Sequence, residues 1–222
     1  MKQTPVHEQH NPDLLRVIPK DLNSVIEVGC SSGALAREYK KLNAPCHYIG
    51  IETDSDYAAL AKRHCDTVHS LNIENADAHF FQEHSNCDCW IFGDVLEHLV
   101  NPWLLLANIR QSIPAGGCVV ACIPNAQHWS IQARLNRGDF RYEKSGLLDK
   151  THLRWFTRIT IVEMFNAAGF NIVESFPRIF NEPDREKVLP PIRAMAASIG
   201  ADPEQAVRDA MPLQYVLRAI PI

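Results

Sequence analysis

No stretch of this sequence is long and apolar enough to span a membrane, and its first residues, MKQTPVHEQHNPD, are polar rather than patterned as a secretory leader. Positive charge is not in excess either. The 22 Lys and Arg against 26 Asp and Glu leave a net charge of −4, which offers no electrostatic footprint for nucleic acid or an anionic membrane. Internal repeats, linkers and low-complexity runs are missing, so the expectation is a single domain over residues 1–222. The seven cysteines contain no C-x-x-C pair and no framework spacing, which argues against a zinc knuckle or a disulfide scaffold and for a reducing, cytoplasmic setting. The group His84, Cys87 and Cys89, with His64, Cys65 and His69 upstream, accordingly reads as strand-edge packing rather than a zinc site. No G-x-G-x-x-G occurs among the ten glycines, so a dinucleotide-binding turn is a poor fit.

What is present organises itself around Ser24 to Leu42, SVIEVGCSSGALAREYKKL. Val25-Ile26-Glu27-Val28 is short, apolar and β-branched, as a buried strand should be. Gly29 and Gly33 bracket a turn of small residues, and Leu35, Tyr39 and Leu42 then recur at helical spacing. Strand, glycine turn and helix together let backbone N–H groups approach a polar or anionic ligand. Gly29-Cys30-Ser31-Ser32-Gly33 also spells G-x-S-x-G, the nucleophile elbow of serine hydrolases, with Ser31 as nucleophile. That elbow ordinarily follows several strands, whereas this turn follows the first. About 20 residues beyond the turn, His47-Tyr48-Ile49-Gly50-Ile51-Glu52 reads as a second strand ending in a carboxylate, the spacing and chemistry of a residue that accepts from two ribose hydroxyls.

The rest of the chain alternates strand and helix. Asp13 is placed as the cap of a short helix carrying Leu14, Leu15 and Ile18. Ser55 or Asp56 is placed as the cap of a helix with Tyr57, Leu60, Ala61 and His64 on one face. Thr67 to Leu71 is a short strand, residues 74 to 87 look irregular, and Cys87 to Phe92 is a fourth strand. Asp94 follows just past its carboxyl end, where open α/β sheets place ligands. Asn101-Pro102 opens a helix with Leu106, Ile109 and Ile113 inward, and Cys118 to Ile123 is a buried central strand. Residues 125 to 158 are too long and too mixed for a plain connection, and are expected to form a lid or substrate segment with a short helix. A helix bearing Ile161, Met164, Phe165 and Ala168, a strand Phe170 to Phe176, helical residues 183 to 211 and a last strand Tyr215 to Ile220 complete a doubly wound, Rossmann-like α/β sheet.

With Glu27-x-Gly29-x-x-x-Gly33 followed by Glu52, the chain resembles the class I S-adenosylmethionine-dependent methyltransferases over nearly its whole length. GDVLEHL after strand four and GLLDKTHLRWFT before the late helix resemble a branch found among enzymes that decorate glycans. The resemblance implies seven strands, mostly parallel with the last antiparallel, and S-adenosyl-L-methionine as cofactor. It places Glu27, Gly29, Cys30, Ser31 and Gly33 around the methionine part and Glu52 on the ribose with Thr53 beside it. Asn72 and Ile73 would flank the adenine, and Asp94 and Val95 would lie near the sulfonium, with His98 toward the acceptor. Ser31 stands where many relatives carry glycine, and remains small enough for close backbone approach. Quinone-biosynthesis methyltransferases with a similar E-x-x-E-H pattern use magnesium, and Asp94, Glu97 and His98 offer such a set; the same letters occur in metal-free relatives, so no metal is assigned and magnesium at these residues stays open from sequence.

The expected reaction is methyl transfer to oxygen of a small or glycan-linked acceptor, whose proton needs a base. His98, His128 and His152 are the histidines in reach, and Asp149, in DKTHLRW, could orient His152. Each has a structural alternative: His98 as a helix-start histidine bonding backbone, and Asp149, His152 and Arg154 as pins of the lid. Trp129 could stack on a sugar or belong to the core, and Asn125 could bond an acceptor. Two readings of other classes stay open from sequence, a Ser31 hydrolase and a non-catalytic domain that binds the cofactor.

Overall fold

The computed structural model describes residues 8–222. α1 (Pro12–Val17) is capped by Asn11, whose side chain accepts from the N–H groups of Asp13 and Leu14, so the cap is Asn11 and not Asp13. β1 (Ser24–Val28), α2 (Ala34–Leu42), β2 (His47–Glu52), α3 (Ser55–Ala61) and β3 (Thr67–Ser70) follow as the periodicity predicts. Asp54, one residue earlier than expected, caps α3 by accepting from Asp56 and Tyr57, and His64 lies beyond the helix end. Residues 78–83 form α4 (Ala78–Glu83) where irregular chain was expected; Asp77 caps it and only Phe81 is buried, too few apolar positions for a period to be visible.

β4 (Cys89–Gly93), a short 3₁₀ turn (Leu96–His98), α5 (Pro102–Ser112) and β5 (Cys118–Pro124) come next. The segment 125–158 contains α6 (Trp129–Leu135), and the chain ends with α7 (Arg158–Ala167), β6 (Phe170–Arg178), α8 (Arg185–Ser198), α9 (Pro203–Ala210) and β7 (Gln214–Pro221). All seven strands join one sheet in the order β3-β2-β1-β4-β5-β7-β6, in which β7 alone runs antiparallel to its neighbours.

Both faces of the sheet are apolar, as a parallel core requires. Along β1, β4 and β5 the side chains alternate: Ile26, Trp90, Phe92, Val119 and Ala121 pack toward α5 and α7, while Val25, Cys89, Ile91, Cys118 and Val120 pack toward α1 and α2. Leu35 and Tyr39 of α2 are buried but Leu42 is 48% exposed, so the helix face closes one turn early. All seven cysteines are free and buried, consistent with their reading as small core residues. His69 and His84 meet each other edge to face at 5.3 Å between ring centroids, and Phe80 edge to face at 5.4 and 4.6 Å, rather than gathering with Cys87 and Cys89. Among the described residues no helix is long and apolar enough to cross a membrane.

Candidate active site

The strand order reverses direction between β1 and β4, and the crevice at that switch point holds a cavity of about 720 Å³. Its floor is the turn after β1. Gly29, Ser31 and Gly33 all have left-handed backbones, with φ of 71°, 49° and 79°. A Cβ on Gly29 would stand 2.7 Å from Val95 Cγ2, so the position needs glycine both for its φ and for the fit against the turn after β4. The amides of Gly29 and Cys30 donate to the Ile51 carbonyl at 2.8 and 3.1 Å, tying the turn to the end of β2. The Cys30 thiol points away from the cavity into the core, against Gly50, where any side chain would collide with it. Cys30 therefore faces the cavity with its backbone, and contact with Cys65 and burial push its thiol pKa up.

Two carboxylates meet at this floor. Glu27 is buried and accepts the Tyr48 hydroxyl at 2.9 Å; burial raises its pKa to about 8 despite that bond. Glu52, 2% exposed, accepts the Ser31 amide at 2.8 Å and the Asp54 amide at 3.0 Å. Thr53 donates its hydroxyl to the same carboxylate at 3.3 Å. Glu52 thus couples the glycine turn to the cap of α3 and also lines the cavity. Asn72 lines the cavity too, but its side-chain oxygen accepts from the Glu74 amide at 3.0 Å and caps the turn that buries Ile73. Asp94, at φ 57°, takes the Gln214 side-chain amide.

The opposite wall comes from the second half of the 125–158 segment. Ser145, Gly146, Leu147, Asp149, Thr151 and His152 line the cavity with Glu97 and His98. The segment hangs on the 3₁₀ turn: the Glu97 carbonyl accepts from Leu153 and Arg154 at 2.8 and 2.9 Å. Asp149 does not orient His152. Its carboxylate accepts the Thr151 amide and hydroxyl at 2.8 and 2.7 Å, bonds that hold its pKa down although burial opposes them. The Thr151 hydroxyl, its hydrogen committed to Asp149, accepts from His98 Nδ1 at 3.1 Å, as does the Thr151 carbonyl at 3.2 Å. Asp149 therefore orients His98, through Thr151. His152 directs Nδ1 at the Leu147 carbonyl, 3.2 Å away. A carbonyl only accepts, so both rings carry their proton on Nδ1 when neutral and leave Nε2 as a bare lone pair. The rings meet edge to face at 4.7 Å, and burial lowers both pKa values.

Glu97, considered from sequence as a magnesium ligand beside Asp94 and His98, is a buried side chain of the cavity wall. It is 1% exposed, its Oε1 lies 4.0 Å from His152 Nε2, and its Oε2 is buried with no hydrogen-bond partner. Burial, and then the nearby Asp94, hold its carboxyl well above the usual range. His128, Trp129 and Asn125 fall outside the cavity. His128 Nε2 and Trp129 Nε1 meet Glu182 at 3.2 and 2.9 Å, and Trp129 packs with Leu189 and Ile192 under α8 and α9. Asn125 is fully buried and donates to the Asp209 and Pro212 carbonyls. No hydrogen bond among the described residues joins a histidine to Ser31, whose amide serves Glu52, so among them the elbow lacks the base a serine hydrolase uses.

A seven-stranded sheet with this order and a glycine turn under two carboxylates defines the fold of S-adenosylmethionine-dependent methyl transfer. A family model described as "Methyltransferase domain" matches residues 7–175, and the chain belongs to that family, within the class I S-adenosylmethionine-dependent methyltransferases. In fold it is similar to an S-adenosylmethionine-dependent methyltransferase from Mesorhizobium loti (15% identity, TM-score 0.63, covering 94% of this chain and 96% of that one). It is likewise similar to magnesium protoporphyrin IX methyltransferase from Synechocystis with bound SAM (10% identity, TM-score 0.55, 94% and 74% covered). A 37.1 kDa uncharacterized protein in transposon TN4556 of Streptomyces fradiae is 27% identical over 104 residues. That match spans 46% of this chain and only 30% of the Streptomyces protein.

Proposed function

We propose that this protein transfers a methyl group from S-adenosylmethionine to a hydroxyl oxygen of a small or glycan-linked acceptor. The observation that carries the reading is the two-ended cavity: acceptors for a cofactor at one end, two histidines with bare Nε2 atoms at the other. The first end fits the cofactor chemically. Glu27 is a buried carboxyl that holds its proton until a cationic partner, such as the amino group of the methionine part, favours the carboxylate, and Glu52 is a two-oxygen acceptor suited to the ribose hydroxyls. Gly29, Ser31 and Gly33 keep the floor low enough for backbone approach, with the Cys30 backbone beside them. Thr53, Asn72 and Ile73 flank the adenosine side, and Asp94 and Val95 border the methyl end.

S-adenosylmethionine, when bound, supplies an electrophilic methyl group on a sulfonium. The chain's contribution is then to align the acceptor and to manage its proton. His98 and His152 handle that proton, with Asp149 and Thr151 fixing the His98 tautomer and the Leu147 carbonyl fixing that of His152. The loop 145–153 forms the wall of the acceptor side.

Calorimetric titration with S-adenosylmethionine and S-adenosylhomocysteine comes first; micromolar binding, on the order of −8 kcal/mol, is expected. Transfer of labelled methyl is then measured to nucleotide sugars and glycan fragments, and the linkage is read by alkaline stability. A folded protein that binds neither ligand overturns the cofactor reading. Label found on nitrogen or carbon overturns the oxygen assignment.

A further inference from the structure

We propose that Glu97, His98 and His152 form a divalent-cation site, and that the cation is a transition metal such as Zn(II), Co(II), Mn(II) or Fe(II) rather than magnesium. One donor atom from each of these residues lies within 4.8 Å of the other two. The residues come from two elements, the 3₁₀ turn after β4 and the 145–153 loop, and all three line the cavity. The ligand set differs from Asp94, Glu97 and His98: the Asp94 carboxylate is engaged with the Gln214 amide, and His152 stands in its place.

Three independent features point to a cation. Glu97 Oε2 is a buried oxygen at the cavity wall with no hydrogen-bond partner among the described residues, and a buried carboxylate oxygen left unpaired is unfavourable unless something satisfies it. Both imidazoles have Nδ1 tied to backbone carbonyls, Thr151 for His98 and Leu147 for His152, which leaves Nε2 as the only ligating nitrogen. That outer hydrogen bond is how proteins orient a metal-binding histidine and raise its basicity. Finally, two neutral nitrogens with one carboxylate form a donor set that suits transition metals with open positions, whereas magnesium favours oxygen ligands. Metal–ligand bonds of about 2.0–2.2 Å require the side chains to draw together by roughly 1 Å. The loop carrying His152 is already hung on the Glu97 carbonyl, so this movement closes the acceptor side.

The proposal rests on the methyl-transfer reading for its chemistry and replaces one part of it: with the cation bound, the Nε2 lone pairs of His98 and His152 hold the metal and no longer take the acceptor's proton themselves. An acceptor hydroxyl bound to the cation loses its proton to solvent more readily. The resulting oxygen nucleophile forms a bond to the methyl carbon as the carbon–sulfur bond breaks, and the sulfonium leaves as a neutral thioether. An acceptor with two adjacent oxygens, as on a sugar or catechol, would fill two of the open positions.

The test is titration of chelator-stripped full-length protein with Co(II), followed by visible absorption, beside calorimetry of S-adenosylhomocysteine on the same sample. One equivalent should saturate, with bands of a nitrogen- and oxygen-ligated ion. Glu97→Gln and His152→Asn should each weaken binding at least tenfold while S-adenosylhomocysteine affinity stays within about twofold. A wild-type protein that takes up no Co(II), or variants that bind it as the wild type does, overturns the site. Should the variants lose their circular dichroism, the wild type decides alone: one equivalent of Zn(II) should shield His98 and His152 from diethyl pyrocarbonate, and their unchanged modification rejects the proposal. Loss of S-adenosylhomocysteine binding in the wild type would strike at the methyl-transfer reading instead, and leaves the Co(II) result to be judged on its own spectrum.

Discussion

Glu27 concentrates the electrostatics of the cofactor floor. Its folded pKa of about 8 lies above the ordinary 4.5, so the native protein holds a proton that the unfolded chain releases between those pH values. Stability therefore falls as pH rises through that window, by at most about 1.4 kcal/mol per pH unit from this group. A cationic group docking on Glu27 favours the carboxylate and expels the proton. Calorimetry of S-adenosylmethionine binding at pH 7 in buffers of different ionisation enthalpy should show up to one proton released, and Glu27→Gln should remove the buffer dependence. At Glu52 the expected outcome is a loss of affinity. Glu52→Ala removes an acceptor for two hydroxyls and should weaken cofactor binding by about 1–3 kcal/mol, read by the same titration. Some stability should go with it, because the Ser31 and Asp54 amides lose their partner. Gly29→Ala places a side chain at φ 71° and against Val95, and urea unfolding should show a loss of about 1–3 kcal/mol.

At the scale of elements, the site depends on how helices and turns begin. Asp54 starts α3 and follows Glu52 closely, so the cap and the carboxylate proposed for the ribose share one stretch of backbone. Asp54→Ala should cost about 1 kcal/mol in urea unfolding, as a lost N-cap does. The 3₁₀ turn at Leu96–His98 plays the matching part on the acceptor side. Its Glu97 and His98 line the cavity while the Glu97 carbonyl accepts from Leu153 and Arg154, so the turn anchors the loop. The first half of the 125–158 segment behaves differently: α6 and its flanking His128 and Trp129 bind Glu182 and the α8–α9 layer. Only the second half reaches the acceptor side, which divides a segment that reads as one unit in sequence.

For the whole molecule, a ligand bound only by the native state adds stability by mass action. At a concentration 100 times its Kd, S-adenosylhomocysteine should add about 2.7 kcal/mol. For a chain of this size that corresponds to a rise in melting temperature of roughly 5–10 °C, measurable by differential scanning fluorimetry. An unmoved transition at saturating ligand would mean that the native cavity does not take it.

The β-branched runs, the glycine turn and the carboxylate ending β2 made the sheet and the floor of its crevice legible from sequence, because local chemistry dictates them: an apolar run must be buried, and a tight turn needs small residues. The strands of β1, β2 and β5 match their expected spans to within a residue. The short helix α4 was not legible, since one buried phenylalanine gives no period. Nor were the partners of the site's polar side chains, which are matters of distance between elements far apart in the chain. Only the tertiary structure decided that Asp149 serves His98 through Thr151, that His128 and Asn125 turn away from the cavity, and that Glu97 and His152, fifty-five positions apart, face each other at 4.0 Å. Periodicity and turn chemistry act over a few residues and can be read along a line. The pairing of a buried carboxylate with two imidazoles arises from packing in three dimensions, which the line does not contain.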